Sequence, residues 1–325
     1  MFETIAFLLH GTKYFGREGY ARAAKGFDNS IMKRTLDGKL CLVTGANQGI
    51  GLATSIELAK HGAKVYMVCR NPERGEAAVA QVKSQSGSSD VFLKVCDISS
   101  LASVVAFADG VAAAGEAVYC LVNNAGVLIN EREKSVDGFD MNTATNTLGT
   151  YVLTALLAPA LARCPGSRII TVTSGGMYTQ HLDSKDLNNK NMHKYDGSVA
   201  YALDKRRQVA MTERLAELLG KSGVGVYAMH PGWTETDGVK KSIPGFYKFY
   251  KDKFRDIGMG IDTIVWLALQ DQDKLKPGAL YLDRTEAEKH LCMAGTHYTK
   301  KDVDQLFAAM NKMVSGVVPE ERLKL

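Results

Sequence analysis

A tyrosine and a lysine four residues apart, Tyr201 and Lys205, are side chains that can move a proton. On a helix this spacing puts both side chains on one face. A nearby ammonium favours tyrosinate, so we expect Lys205 to lower the pKa of Tyr201 from about 10 toward neutrality, where a general acid or base works best. The pair would then give a proton to a carbonyl oxygen during reduction or take one from an alcohol during oxidation.

Ser174 precedes this pair by 27 residues and follows a predicted strand. Its hydroxyl would donate a hydrogen bond to the alkoxide that develops on the substrate. The alternative is a serine that only caps a turn. A second Tyr/Lys pair with the same spacing, Tyr247 and Lys251, shows that spacing alone does not identify the catalytic tyrosine. Tyr201 is favoured by its position, because it starts a long predicted helix after a polar loop.

A glycine-rich turn at residues 44–51 (TGANQGIG) joins the first predicted strand directly to a helix. Glycines let the backbone turn sharply and approach a pyrophosphate, and the free N–H groups of the helix N-terminus stabilise its negative charge. The first strand-to-helix turn of an alternating series is also where a doubly wound sheet binds dinucleotides. The turn therefore predicts a dinucleotide site.

The strands and helices that must position these residues are predicted from residue 39 onward. In this part of the sequence, β-branched apolar runs alternate with amphipathic stretches, a pattern typical of repeated strand–helix units. Seven strands are predicted, at Lys39–Thr44, Lys64–Cys69, Val91–Val95, Ala117–Val122, Arg168–Thr173, Gly225–His230 and Ala279–Leu282. Six helices are predicted between them, near 50–61, 73–84, 99–114, 138–162, 199–220 and 259–270. The predicted fold is α/β: one doubly wound Rossmann domain with a seven-stranded parallel sheet at 39–284, an N-terminal helical extension at 1–38 and a C-terminal extension at 285–325.

The TGxxxGxG spacing of the turn resembles the cofactor loop of the classical short-chain dehydrogenase/reductases. Three further motifs stand in the order of that family: Asn123-Asn124-Ala125-Gly126, Ser174, and Tyr201-Ala202-Leu203-Asp204-Lys205. The resemblance covers roughly residues 39–283. Residues 168–176 and 229–233, with the N-terminal extension, are similar to one subgroup of the family, and the retinol dehydrogenase-like branch is a looser relative.

The resemblance implies roles for further residues. Asn146 matches a helix asparagine that holds a water in a proton relay to the lysine, although a structural role stays open. Lys205 would also hold the nicotinamide ribose hydroxyls, and residues 231–236 fit the PGxxxT pattern that faces the nicotinamide carboxamide. Asp97 would contact adenine or, alternatively, cap a helix. The predicted catalytic residues are Tyr201, Lys205, Ser174 and Asn146; the predicted cofactor-binding residues are Thr44, Gly45, Asn47, Gln48, Gly49, Ile50, Gly51, Arg70, Asp97, Asn124, Ala125, Gly126, Thr173, Tyr201, Lys205, Pro231, Gly232, Thr234 and Thr236.

Cofactor preference depends on the end of the second strand, where an NAD enzyme places an acidic side chain on the ribose 2′-hydroxyl. Cys69 and Arg70 stand there instead, and a guanidinium suits a 2′-phosphate. The family's other basic position is Gln48 in this chain. The sequence therefore favours NADP(H), with NAD(H) as the other possibility.

Two apolar segments bear on the substrate and on membrane contact. Residues 243–250 (IPGFYKFY) fall where the family keeps its variable substrate lid, which suggests a lipophilic carbonyl or alcohol; a packing or partner-facing helix is the alternative. In the extension, four apolar residues recur at helical spacing ahead of basic residues, namely Phe2, Ile5, Ala6 and Leu9. This pattern suits peripheral contact with a membrane. A helix packed on the domain, or a contact in a homo-oligomer, explains the same pattern.

Composition narrows the class of protein. The 325 residues include 40 Lys+Arg and 35 Asp+Glu with both signs interleaved, so no nucleic-acid surface is predicted. The six cysteines form no close pair and no zinc spacing, so we expect reduced thiols, no metal site and a cytoplasmic or cytosol-facing protein that is not secreted. The longest apolar run near the start, Ile5 to Leu9, is far shorter than a membrane span.

Together these features predict an NADP(H)-dependent oxidoreductase that transfers a hydride between nicotinamide and a carbonyl or hydroxyl group of a lipophilic substrate. A catalytically silent dinucleotide-binding scaffold of the same fold is the main alternative, and the complete set of predicted catalytic residues counts against it. A sugar-nucleotide epimerase is the alternative among enzymes, but its loop is TGxxGxxG whereas this chain has TGxxxGxG.

Overall fold

One mixed sheet forms the centre of the computed structural model, which describes residues 2–292 and 294–325. Its order is β3-β2-β1-β4-β5-β6-β7-β8, and neighbouring strands are parallel except for the last pair. The strands are β1 (Leu40–Thr44), β2 (Lys64–Cys69), β3 (Val91–Val95), β4 (Val118–Asn123), β5 (Arg168–Val172), β6 (Gly225–Met229), β7 (Leu280–Leu282) and β8 (Thr285–Ala287). The predicted Rossmann-like sheet is confirmed.

The predicted count of seven strands is wrong, because β8 adds an eighth. Asp283 and Arg284 have positive φ angles of 51° and 59°, and they turn the chain back so that β8 pairs antiparallel with β7. Two-residue hairpin turns of this kind usually contain glycine or asparagine. The Asp-Arg turn and the three-residue strand gave no such signal, so residues 285–325 were predicted only as a C-terminal extension.

Helices cover both faces of the sheet. They are α1 (Phe2–Tyr14), α2 (Arg17–Ala24), α3 (Gly49–Lys60), α4 (Pro72–Ser86), α5 (Leu101–Ala113), α6 (Met141–Thr143), α7 (Thr150–Ala162), α8 (Gly197–Leu219), α9 (Asp237–Ser242), α10 (Pro244–Tyr250), α11 (Ile257–Leu269) and α12 (Lys300–Val314). Successive side chains of a strand point to opposite faces. Leu42 of β1 accordingly packs in the core that α5, α7, α8 and α12 share, whereas Val43 packs with α3, α4 and α11.

The strand order places a crevice at the carboxyl ends of β1 and β4. After β1 the chain builds β2 and β3 on one side of the sheet, and it then returns to build β4 through β7 on the other side. The loops that leave β1 and β4 therefore diverge, and ligands of open α/β sheets bind at such a switch point.

The terminal segments pack against this frame. Helix α1 lies against a 3₁₀ turn at Gly175–Thr179, immediately after β5. Helix α12 buries Leu306 and Met310 in the core beside α8. In the part of the chain that the structure describes, no helix has both the length and the apolar character needed to cross a membrane.

Candidate active site

A cavity of about 830 Å³ is lined by loops at the carboxyl ends of β1, β4, β5 and β6. Most of the residues predicted from the sequence contribute to its wall: Gly45, Asn47, Gln48, Gly49, Ile50, Arg70, Asp97, Asn124, Ala125, Gly126, Thr173, Ser174, Tyr201, Lys205, Pro231, Gly232, Thr234 and Thr236. Thr44, Gly51 and Asn146 lie behind that wall and contact residues that form it. Motifs that lie up to 191 residues apart in sequence, from Gly45 to Thr236, thus meet at one edge of the sheet.

The glycine turn needs glycine at several positions for different physical reasons. Gly45 and Gly49 have φ angles of +64° and +54°, a region that other residues rarely adopt. A Cβ on Gly51 would overlap the Gly45 carbonyl oxygen and lie 2.5 Å from Asn124 Nδ2. Helix α3 begins at Gly49 directly from this turn, and Gln48 provides no side-chain cap. The first N–H groups of the helix therefore face the cavity as an anion-binding end.

Thr44 and Asn124 fasten this turn to the end of β4. The Thr44 hydroxyl accepts hydrogen bonds from the backbone N–H groups of Asn124 (3.0 Å) and Ala125 (2.9 Å). Asn124 Nδ2 in turn donates to the Thr44 carbonyl oxygen at 2.8 Å. Both side chains thus hold two loops together, and this is a structural contribution to the site that the predicted binding role did not include.

The expected lowering of the Tyr201 pKa is wrong for this arrangement. Burial raises the pKa of Tyr201 to about 12, and a hydrogen bond with the Ser174 side chain opposes that rise. The Lys205 ammonium lies 5.3 Å from the centre of the Tyr201 ring. Because Lys205 is only 3% exposed, burial lowers the pKa of its own ammonium to about 8. The lysine, rather than the tyrosine, has a pKa close to neutrality.

Lys205 belongs to a buried hydrogen-bond chain that the sequence did not predict. Its ammonium donates to the Val172 carbonyl oxygen at 2.9 Å and to Gln208 Oε1 at 3.0 Å. Gln208 Nε2 then donates to the carbonyl oxygen of Asn146 at 2.7 Å. Gln208 lies three residues after Lys205 on α8, so helical spacing was the available signal for it. The chain links the lysine to the helix that carries the predicted asparagine.

Asn146 lies in a π-helical segment, Ala144–Gly149, which joins α6 to α7. Its side chain accepts from the backbone N–H of Val127 and donates to the carbonyl oxygen of the same residue, each at 2.9 Å. Asn142 makes the same pair of bonds with Ile129, each at 3.0 Å. The two asparagines therefore anchor the loop after β4, which supports the structural role for Asn146 that the sequence left open.

The residues predicted to select the cofactor lie at the end of β2. Arg70 is exposed and lines the cavity, as does Arg74 in the first turn of α4. Arg74 donates from Nη2 to Gln48 Oε1 at 2.6 Å, so it is held against the glycine turn. The sequence analysis missed Arg74, although its place four residues after Arg70 could have indicated it. Two guanidinium groups therefore flank this part of the cavity.

Several side chains that were predicted to contact the cofactor or the substrate form hydrogen bonds to other residues of the protein. The Asp97 carboxylate accepts from the N–H and the hydroxyl of Ser99, at 2.9 and 2.7 Å, and Ser100 rather than Asp97 is the N-cap of α5. The Thr173 hydroxyl donates to the Lys205 carbonyl oxygen at 2.8 Å. Thr234 bonds the Pro231 carbonyl oxygen, while Thr236 caps α9. Ser174 also caps the turn after β5 by accepting from the Gly176 N–H at 3.2 Å.

Comparison with known proteins agrees with this geometry. The short chain dehydrogenase family model matches residues 39–184. Dehydrogenase/reductase SDR family member 12 of Homo sapiens is 35% identical over 314 residues, which cover 96% of this chain and 98% of that protein. Retinol dehydrogenase 11 of Homo sapiens is 38% identical over 208 residues, 64% of each chain. A crystal structure of an uncharacterised protein from Mycobacterium paratuberculosis has a TM-score of 0.70 at 27% identity, covering 87% of this chain and 95% of that one.

The similarity to the SDR family member 12 protein extends over nearly the full length of both chains, so it includes segments on either side of the family-model match. The predicted subgroup resemblance is thereby confirmed, and so is a nicotinamide cofactor. This chain therefore belongs to the short-chain dehydrogenase/reductase family and is an NAD(P)-dependent oxidoreductase that acts on CH–OH and C=O groups.

Proposed function

We propose that this enzyme uses NADP(H) to interconvert a lipophilic carbonyl compound and its alcohol. The observation that carries the proposal is that Ser174, Tyr201 and Lys205 line the same cavity as the glycine turn. The turn and the N-terminus of α3 fit a pyrophosphate, because glycine backbone and unpaired N–H groups face it. When bound there, the cofactor supplies or accepts the hydride.

In the reductive direction, Tyr201 gives its hydroxyl proton to the substrate oxygen. A pKa raised to about 12 keeps this hydroxyl protonated at neutral pH, so the side chain is ready to act as an acid. The Ser174 hydroxyl donates a hydrogen bond to the same oxygen as negative charge develops on it. The Lys205 ammonium beneath the Tyr201 ring stabilises the tyrosinate that remains.

The preference for NADP(H) is supported by the basic groups beside the glycine turn. Arg70 follows β2 where an acidic residue would favour NAD, and Arg74 is already fixed to Gln48 at 2.6 Å. Two guanidinium groups suit the 2′-phosphate that distinguishes the two cofactors, because planar donors bind phosphate oxygens well.

A lipophilic substrate is supported by the apolar part of the cavity wall. Leu128, Ile243 and Phe246 line it, and the Phe246 ring lies 5.2 Å from the ring of Trp233. Retinol dehydrogenase 11, whose name specifies an apolar alcohol, is 38% identical over 64% of this chain. Burial of such a substrate would be driven by removal of its apolar surface from water.

The test is NADPH oxidation by the purified protein with panels of retinoid, steroid and fatty carbonyl compounds. We expect turnover with at least one apolar panel, and we expect Tyr201→Phe to abolish it while NADPH still binds. Val136→Ala serves as a matched surface control, because Val136 is exposed and lies outside the cavity wall. NADPH binding without turnover on any panel would favour the silent scaffold, and full activity of Tyr201→Phe would remove the tyrosine from the mechanism.

We also propose that the enzyme lies peripherally on anionic membranes. Phe2 and Leu9 on α1 are each 71% exposed, and Phe249 on α10 is 80% exposed. Exposed lysines, Lys13 and Lys248, lie on the same two helices and suit anionic headgroups. The other face of α1 packs on the domain, which leaves the face that carries Phe2 and Leu9 available for the proposed membrane contact.

Co-sedimentation with phosphatidylserine-containing vesicles tests the membrane proposal. The protein should bind at low salt, and the double variant Leu9→Ser, Phe249→Ser should be released. Phe92→Ser is the control, because Phe92 is an exposed apolar residue on the edge strand β3. Failure of the unmodified protein to bind, or equal release by the control variant, would contradict the proposal.

A further inference from the structure

The inner face of α1 contributes an aromatic side chain to the cavity beside the proposed reaction centre. Phe7 is one of the lining residues, although it lies in the extension and outside the family-model match. We infer that α1 forms a wall of the substrate pocket and that Phe7 determines which substrates fit. The inference rests on the proposed function, since it concerns the substrate of that same site.

Two glycines show how closely α1 approaches the loops of the site. A Cβ on Gly175, the residue after Ser174, would lie 3.1 Å from the Phe15 ring and 3.3 Å from Phe7 Cε2. A Cβ on Gly11 would lie 2.5 Å from Cζ2 of Trp233. The extension therefore packs in direct contact with the loop after β5 and the loop after β6, with no room for an added methyl group at Gly11 and little room at Gly175.

A buried arginine fixes the end of α1 in that place. Arg255 is 1% exposed and donates to the carbonyl oxygens of Tyr14 and Phe15, each at 2.8 Å. Its guanidinium also forms a bidentate pair with Asp283, at 2.5 and 2.8 Å. The Phe15 carbonyl oxygen further accepts from the backbone N–H of Trp233 at 2.8 Å. These bonds hold α1 to the loop after β6 and to the β7–β8 turn.

Phe7 is the residue through which α1 reaches the cavity, which Trp233 also lines from the loop after β6. Its ring lies 6.0 Å from that of Phe15 and 6.3 Å from that of Trp233, so aromatic neighbours limit where it can move. Trp233 continues this wall to Phe246 on α10 at 5.2 Å. A rigid ring over the residue after Ser174 limits the width of the apolar group next to the reacting carbon. Truncating the ring would add space at that point.

The experiment compares Phe7→Ala with Phe92→Ala on a series of straight-chain, branched and aromatic aldehydes in the presence of NADPH. Phe92 is the matched control, because it is also a phenylalanine but is 41% exposed on the edge strand β3, outside the cavity wall. We expect Phe7→Ala to shift the ratio of kcat/KM for the widest aldehyde to that for the narrowest by roughly tenfold in favour of the widest. The Kd for NADPH should match that of Phe92→Ala, whereas the thermal midpoint of Phe7→Ala should be lower, because the Phe7 ring packs against Phe15 and Trp233.

A uniform change in kcat/KM across the series, or the same shift in Phe92→Ala, would overturn the inference. If the unmodified protein turns over no aldehyde, the proposed function fails, and the wall is tested separately by binding of a naphthalene-based fluorescent probe to the NADPH complex. The affinity for that probe should change in Phe7→Ala and stay constant in Phe92→Ala. Equal probe affinity in all three proteins would refute the wall even when the enzyme is inactive.

Discussion

Replacing Arg70 and Arg74 with leucine should weaken NADPH binding and leave NADH binding nearly unchanged. The reason is that NADPH alone carries a 2′-phosphate, whereas both cofactors share the pyrophosphate that the glycine turn fits. A hydrogen bond to a charged group contributes about 1.5–3 kcal/mol, which corresponds to roughly ten- to hundredfold in affinity. The surroundings of the two arginines indicate which substitution should cause the larger loss of NADPH affinity within that range.

Both arginines are exposed, so screening by solvent and salt places the effect of Arg70, which has no fixed partner to orient it, near the lower limit, about tenfold. Arg74 is held at 2.6 Å from Gln48 and loses less freedom on binding, so its effect should be larger. Gln48→Ala should therefore weaken NADPH binding by releasing Arg74, although the glutamine carries no charge. The effects of the two arginine substitutions should shrink as salt is raised.

Fluorescence titration of both cofactors against each variant measures these effects. Lys60→Leu is the charge-matched control, because Lys60 lies on the last turn of α3 and outside the cavity wall. Equal losses for NADPH and NADH in the Arg70 and Arg74 variants would refute recognition of a 2′-phosphate. If Lys60→Leu loses as much NADPH affinity as the Arg70 and Arg74 variants, the effect comes from net charge rather than from a specific contact.

Three other outcomes follow from the buried polar groups. Lys205→Met should impair both turnover, measured by kcat, and NADPH binding, measured by titration. The reason is that the ammonium lies beneath the Tyr201 ring and is also expected to hold the nicotinamide ribose hydroxyls. The reductase rate should fall as pH rises through about 8, where Lys205 loses its charge. Gln208→Leu removes an acceptor from the Lys205 ammonium, so it should move this limb of the pH–rate profile to lower pH, whereas Gln208→Glu should move it to higher pH. Arg255→Met leaves Asp283 buried without its partner and should lower the free energy of unfolding, measured in urea, by about 3–5 kcal/mol. This loss should be smaller at acid pH, where the Asp283 carboxyl is protonated. The control Lys276→Met breaks an exposed ion pair and should lower the free energy of unfolding by less than about 1 kcal/mol.

The fold could be predicted where its signals are local. The runs that became β2 and β3 have the predicted bounds, because each is a short run rich in apolar and β-branched residues that is bounded by turns or helices. The eighth strand could not be predicted, since its turn, Asp283-Arg284, contains no glycine and its pairing partner β7 is only three residues long. The long helix at 138–162 was predicted, but not its π-helical segment around Asn146.

The site could be predicted to a similar extent. Residues that lie within one strand–turn–helix unit, such as Gly45 and Gly49, and those at helical spacing, such as Tyr201 and Lys205, follow from local geometry. The direction of the pKa shifts did not follow. Sequence spacing gives the distance between two charges, but burial decides which protonation state is favoured, and burial depends on everything that packs around the pair.

The sequence by itself determined the doubly wound sheet, the turn at its first strand and the set of side chains that gather at one edge. It could do so because strand alternation, helical spacing and glycine turns act over a few residues. Only the tertiary structure decided that Phe7 reaches the cavity and that Arg255 holds the Phe15 carbonyl oxygen across 240 positions of sequence. Contacts of that range arise when separately formed elements pack together, so they leave no periodic pattern in the chain.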